Sequence, residues 1–339
     1  MRNSLLPALT ATALAFATCA HGAATAATAT TPEILELETV TVVAGIQPGP
    51  SLWKVTRGEH LMWILGTVAP VPKKMEWVSP QADAALASAQ ELISAPGFSA
   101  NMGVGSMFKA AFAMPTILKA RRNPGDKTLR EVLPADLYAR WLPLKALYLG
   151  DDDGVEKWRP IFAAGELYQA ALKRSGLEFG NGTDKRIDDL ADKHKLKRTS
   201  TVIRAEIKDP KGLAKSFAKA DVDDVACFRN LLDRLESDLA NAAEMANAWA
   251  VGDIPELARL SRRVSVTPCI EAMTNTEAMR SLGADDARER SRVLWMKAVD
   301  DALTSNPVTF ATLPVSELLE PDGLLTRLQS KGYVIEAPE

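Results

Sequence analysis

Two short stretches rich in alternating apolar residues, Leu52-Trp53-Lys54-Val55 and His60-Leu61-Met62-Trp63-Ile64-Leu65, flank Arg57-Gly58-Glu59. This pattern predicts a β-hairpin whose second arm ends at Gly66. A helical period then runs from Pro80 to Gln90 with Ser79 as its N-cap, and a short strand follows from Glu91 to Ser94. The β-α-β order predicts a parallel pairing of the strands on either side of that helix. From Met102 to about Leu172 the period is mostly helical, punctuated by Pro115, Asn123-Pro124-Gly125 and Pro143. Met107, Phe108, Phe112 and Trp141 in this stretch read as packing residues rather than a cofactor box. Asp184 to Lys193 reads as a helix and Arg198 to Ile203 as a strand.

The clearest periodic signal is Phe228, Leu232, Leu235, Leu239, Ala242, Ala246 and Trp249, whose alternating steps of four and three put every member on one helical stripe. Asp223 or Asp224 favours the start of that helix and Gly252 ends it. The stripe predicts a long helix packed on the domain; its alanines make a weak seam for a coiled-coil dimer, although an oligomer stays open. Another helix is expected from about Ala284 to Leu303, ending before Pro307. The chain then closes as strand, helix, strand: Val308 to Leu313, a helix capped by Asp322 and running through Ser330, a stop at Gly332, and Tyr333-Val334-Ile335. The element order predicts an α/β (α+β) fold with a central mixed β-sheet and an N-terminal β-hairpin, flanked by a large helical portion.

Composition narrows the setting. Residues 1–22 carry Arg2, an apolar run from Leu5 to Ala17, and small residues around Ala20-His21-Gly22-Ala23, the pattern of a secretory signal peptide. That run is shorter than the roughly 20 residues that span a bilayer, and no later segment is long and uncharged enough to do so. Export to the periplasm or the exterior is therefore expected. Phe16 and Thr18 fit poorly before a lipidated cysteine, which disfavours a lipoprotein anchored through Cys19. Residues 23–51 are rich in Ala, Thr and Pro and read as a largely disordered tether, leaving residues 52–339 as the domain. Of the 339 residues 47% are hydrophobic, enough for a substantial core, and a net charge of −3 provides no basic field for nucleic acid or an anionic membrane surface. Cys227 and Cys269 are the pair left after processing, and in an oxidising compartment an isolated pair predicts a disulfide. It would close a loop of about 42 residues, worth about 4 kcal/mol in the chain-entropy model.

Common catalytic signatures are missing: the sequence has no HExxH, no GxxxxGK[ST], no GxSxG and no CxxC. His60 and His194 are the histidines beyond the signal segment, so a serine or cysteine triad has few bases to draw on. His60, beside charged Glu59 at the start of a strand, reads as an ordinary strand residue.

Several pieces taken in order resemble the TraB/GumN family: Leu52-Trp53-Lys54-Val55, the Gly66-Thr67 strand end, Trp77-x-Ser79-Pro80, Asn247-Ala248-Trp249-Ala250-x-Gly252-Asp253, and Pro321-Asp322-Gly323-Leu324-Leu325 before Gly332-Tyr333. That family is related to the TIKI metalloproteases and shares an α/β core with erythromycin-esterase-like (EreA) and ChaN-like proteins. The resemblance implies a site with a histidine three residues after each of two glycines, and a glutamate ending the strand after the first helix. A divalent metal held by such residues polarises a carbonyl and lowers the pKa of bound water. In this chain the first glycine is Gly66, and the first histidine position is Ala69. The glutamate position is Ala95, and the second glycine and histidine positions are Pro314 and Glu317. A family Arg-Asn pair ahead of a tryptophan falls on Ser291 and Arg292, before Trp295.

Catalytic metals are usually held by about three protein ligands, and Glu317 is the one ligand-type side chain at these positions. The expectation is accordingly a catalytically degenerate pseudoenzyme with no cofactor, acting through a protein or small-molecule ligand. The alternative is a metal-dependent hydrolase or peptidase with a rebuilt site. In it Glu317, Asp184 and Asp322 supply carboxylates, or Glu317 serves as general base beside Ser316, Thr67 and Ser94. A third reading is a structural or assembly role through the helix from Asp223 to Ala250. The three are separated by whether Ala69, Ala95 and Glu317 converge, and on what kind of surface.

Overall fold

The computed structural model describes residues 49–338 apart from 74, 76, 180 and 262–266. Residues 1–48, which hold the expected signal peptide and most of the expected tether, lie outside the described residues. Of the tether's last residues, Gly49 and Pro50 are buried, and Ser51 Oγ donates to the Gly252 carbonyl at 3.0 Å.

A six-stranded mixed sheet forms the centre, in the spatial order Val334–Glu336, Leu52–Arg57, His60–Thr67, Val308–Pro314, Glu91–Ile93, Lys197–Thr199. The first two pairings are antiparallel and the remaining three parallel. The hairpin forms as the alternation predicts, with Arg57 opposite His60 and Gly58 at φ +59° in the two-residue turn. His60 plays a structural part, its Nδ1 lying 2.8 Å from the Asn306 carbonyl.

The strands on either side of the first helix are parallel, but they are not neighbours. Val308–Pro314 from the end of the chain slots between them. Its composition explains the position: Phe310 packs into the core on one face of the sheet while Ala311 and Leu313 pack on the other, all fully buried. A strand apolar on both faces belongs in the middle of a parallel sheet.

On one face lie Pro80–Ser88, N-capped by Ser79 Oγ accepting from Ala82 N at 3.1 Å, and Asn181–Lys193. On the other lie Ala287–Ser305 and Leu324–Ser330, packed through Trp295, Val299 and Leu328. A further layer is wholly helical, built from Ala135–Tyr148, Pro160–Arg174 and most of Asp224–Val251. That last helix carries the predicted stripe, every member of which is buried within the chain. Asp223 caps its start by accepting from Ala226 N, and Gly252 ends it at φ +73°. Its first turns anchor the helical layer, and Trp249 near its end reaches the sheet. The Cys227–Cys269 disulfide forms, with Cα atoms 5.1 Å apart, joining the start of this helix to Thr267–Thr274.

Four local expectations differ from the structure. Pro115 and Pro143 do not end helices; they sit inside Val104–Ala120 and Ala135–Tyr148. An internal proline costs about 3 kcal/mol, and in the second helix burial of Leu137, Trp141 and Leu144 offsets it. Trp141 packs as expected, but Met107, Phe108 and Phe112 are exposed. The strand expected from Arg198 to Ile203 is two strands: Lys197–Thr199 ends the main sheet, and Val202–Glu206 pairs with Gly97–Asn101 in a separate ribbon. The break comes at Thr201, whose N and Oγ1 bond Ser94 Oγ and O at 3.1 and 2.8 Å. Finally, Asp322 does not cap the last helix; Gly323 takes the N-cap position without a side-chain bond.

Candidate functional site

The parallel strands His60–Thr67 and Val308–Pro314 run in register, with Gly66 opposite Leu313 and Thr67 opposite Pro314. Both therefore end at the same edge, the edge where open α/β sheets place ligands. Gly66 holds this junction tightly. A Cβ on it would lie 3.0 Å from Leu318 Cδ1 and from Val315 Cγ2 and 3.2 Å from the Trp53 ring. Its carbonyl accepts from Trp249 Nε1 at 2.6 Å, tying the end of the long helix to the strand end.

Beyond Gly66 the chain opens onto a cleft of about 240 Å³, lined by Thr67 to Pro70 on one side and Pro314 to Ser316 on the other. Two of the positions singled out in the sequence, Ala69 and Pro314, thus meet here. The facing wall is the long helix, which contributes Arg234, Ser237, Asp238 and Asn241. Asp238 accepts from Arg234 Nε at 2.7 Å and from the Tyr168 hydroxyl. Burial pushes the Tyr168 phenol up from its ordinary value and the Asp238 carboxylate adds to the effect, so the hydroxyl stays protonated as a donor. For Arg234, burial is the largest influence and works toward a lower pKa, but the hydrogen bonds and charges of Asp238 and Tyr168 together outweigh it, and the guanidinium is held more firmly charged. Asn241 Nδ2 donates to the Ser237 carbonyl at 2.6 Å. The wall is polar and internally bonded.

Sequence reasoning missed these four residues. A signal was present: Arg234, Asp238 and Asn241 each precede a stripe residue by one, and Arg234/Asp238 and Ser237/Asn241 are both spaced i, i+4. They form a polar line along the border of the apolar stripe, where a helix leaves the core.

Glu317 does not join the cleft. The one-turn helix Val315–Leu318 points its carboxylate toward the Ala287–Ser305 helix. There Arg292 grips it in bidentate fashion, Nη2 to Oε1 at 2.9 Å, Nη2 to Oε2 at 2.7 Å and Nε to Oε2 at 3.1 Å. Arg288 Nη2 adds a bond at 3.1 Å, and Glu320 shares both arginines. The side chains of Arg292 and Glu317 are 9% and 13% exposed. This is an ion pair largely removed from water, whose two halves are costly to separate. Ser291, also buried, bonds the Arg288 carbonyl at 2.8 Å within its own helix.

Ala95 lies in another place. It lines a second cavity of about 490 Å³ at the ends of Glu91–Ile93 and Lys197–Thr199, together with Ser94, Thr199, Thr312, Asp184, Asp188, Arg198 and Arg204. Thr67 is the residue common to the two linings. The three carboxylates of the rebuilt-site reading are therefore scattered: Asp184 at the second cavity, Glu317 in the arginine network, Asp322 on an exposed loop. The members of the general-base arrangement are also divided: Ser316 lines the first cleft, Ser94 the second and Thr67 both, while Glu317 lines neither. Among the described residues no group of three His, Cys, Asp or Glu is placed to hold a metal ion. The donor set at the strand ends does not fit a divalent metal.

One more buried carboxylate escaped the sequence reading. Glu91 accepts from Asn306 Nδ2 at 2.8 Å, Lys197 Nζ at 3.1 Å and the Thr199 hydroxyl. Burial alone would raise its pKa, but these donors together bring it below the ordinary 4.5. It lines neither cavity and serves to join strands.

Residues 51–337 match the model of the TraB/PrgY/gumN family. Neither the curated proteins nor the solved structures contain a match to the chain. A match over nearly the entire described region shows that the chain belongs to the TraB/PrgY/gumN family.

Proposed function

We propose that this protein is an exported, non-catalytic member of its family that binds a small polar ligand in the cleft between Ala69 and the Arg234–Asn241 segment of the long helix. The observation that carries the reading is the bidentate Arg292–Glu317 pair. Glu317 is the ligand-type side chain left at the positions the family resemblance marks for metal binding, and Arg292 and Arg288 hold its carboxylate outside the cleft. The cleft itself persists, with a cation, a carboxylate, a hydroxyl and an amide along one wall. Such a lining suits recognition of a polar molecule by hydrogen bonds. Export is supported by the residue 1–22 pattern and by the Cys227–Cys269 disulfide, which belongs to an oxidising compartment.

The test is calorimetry and elemental analysis of the purified protein with Mn²⁺, Co²⁺ and Zn²⁺, beside a Glu317→Ala control. The expected result is no binding above the control. Stoichiometric binding that the control loses would sink the proposal and revive a metal-dependent hydrolase.

A further inference from the structure

Two helices that pack on each other, Val104–Ala120 and Pro210–Ala218, carry an unusual surface. The first is built inside out. It turns Ser106, Ala110, Ala113 and Ala120 toward the protein. Outward it presents Val104, Met107, Phe108 and Phe112, which are 73%, 59%, 67% and 89% exposed. With a period of about 3.6 residues these positions fall on one face. Met102, Met114 and Leu118 extend the patch, so that seven of the fifteen exposed large apolar residues among those described lie within residues 102–118. Scattered exposed apolar residues are ordinary, but a contiguous set on one helix face marks a binding surface.

Charge is segregated to the same place. Residues 102–122 and 207–220 contain eight Lys or Arg and a single acid, Asp209, in a chain whose net charge is −3. Asp209 is engaged as an N-cap, accepting from Gly212 N at 2.9 Å. Arg121 and Arg122 have acidic neighbours, Glu166 at 3.8 Å and Asp126 at 3.2 Å. Among the described residues none of the six lysines makes an ion pair. The whole-chain charge, which argues against an anionic membrane, averages over this local excess.

We propose that this helix pair docks on a lipid bilayer bearing anionic headgroups, with Val104–Ala120 lying in the plane of the interface. Bulky apolar side chains on one face, lysines beside them and no acid on the helix are the features of an interfacial helix. At a rise of 1.5 Å per residue it is about 25 Å long, short of the roughly 30 Å hydrocarbon core, so it lies on the membrane and does not cross it. A second copy of the chain fits this face less well. A twofold contact would set two like-charged helix pairs against each other, whereas anionic headgroups neutralise them.

Co-sedimentation tests the proposal. The purified full chain is mixed with vesicles of phosphatidylglycerol and phosphatidylcholine in equal parts, and separately with pure phosphatidylcholine. Wild type is compared with Phe108→Ser/Phe112→Ser and with Lys109→Glu/Lys119→Glu, so that any membrane affinity of the N-terminal apolar run cancels. All four positions are exposed, and unchanged circular dichroism and melting check that the variants fold. The expected result is a partition coefficient about tenfold lower for the serine variant on the mixed vesicles. The glutamate variant should show at least about a tenfold loss on mixed vesicles and little change on neutral ones. Failure of wild type to pellet with the mixed vesicles, or equal pelleting by the serine variant, would overturn the proposal. So would concentration-dependent self-association that the serine variant loses without any vesicle binding, which would assign the face to a second copy.

Discussion

The two strand-end loops of this protein begin from matching positions and end differently. After Gly66 the chain leads through Ala69 into an open, polar cleft; after Pro314 it lines that cleft only as far as Ser316 and then sends Glu317 into a buried arginine network. The first loop keeps space for a ligand, while the second ties its charged group into the scaffold. A carboxylate beside a strand end is thus evidence of chemistry only if it faces the cleft. Which way it faces depends on whether a stronger partner waits on the other side.

Substitutions in the packed junction and in the buried ion pairs should therefore appear as lost stability, and one at the cleft-lining Ser316 should leave stability nearly unchanged. The largest effect is expected from Trp249→Ala, which empties a buried site at the junction and breaks the bond to the Gly66 carbonyl. A loss of about 4 kcal/mol should be seen in urea unfolding, and a loss under 1 kcal/mol would show that the junction does not depend on this contact. Arg292→Leu should cost about 3 kcal/mol by removing the buried partner of Glu317 and leaving it only the exposed Arg288. Combining it with Glu317→Ala should recover part of that loss, so a strictly additive double-mutant cycle would break the comparison. Gly66→Ala forces a methyl against Leu318, Val315 and Trp53. It should destabilise by about 2 kcal/mol, measured by thermal melting.

A pH titration separates a second locked carboxylate from the open region. Because the pKa of Glu91 is lowered on folding, its contribution is complete above 4.5 and is lost as pH falls through the depressed folded value. Melting temperature in acid should therefore fall more steeply for wild type than for Glu91→Gln; parallel curves would contradict the assignment. The smallest effect belongs to the open side. Ser316→Ala should change stability by no more than about 0.5 kcal/mol, and a larger loss would mean that the cleft is itself structural.

Much of the fold was legible in the chain because its signals are local. The alternation around Gly58, the Ser79-Pro80 start and the Phe228 to Trp249 stripe each specify an element through neighbours a few residues apart, and each formed. The cysteine pairing was readable from scarcity, since Cys227 and Cys269 are the two cysteines beyond Cys19. The prolines misled because Pro115 and Pro143 are tolerated inside helices when packing elsewhere outweighs the lost backbone bond. Phe108 and Phe112 misled because an apolar side chain reports what it prefers to touch and not whether that partner lies within the same chain. The cleft wall stayed hidden for a related reason: Arg234 and Asp238 look like any surface i, i+4 pair until Tyr168 and the strand ends close around them.

By itself the sequence determined the hairpin, the helix that starts at Ser79-Pro80, the long helix with its stop at Gly252, and the resemblance to the family, since propensity, periodicity and capping act over one or two turns. Only the tertiary structure decided that the last long strand inserts between His60–Thr67 and Glu91–Ile93, that Ala95 stands apart from Ala69, and that Glu317 faces Arg292. Those outcomes depend on contacts between segments distant in the chain, where burial on two faces of a sheet and the pairing of opposite charges away from water outweigh any local preference.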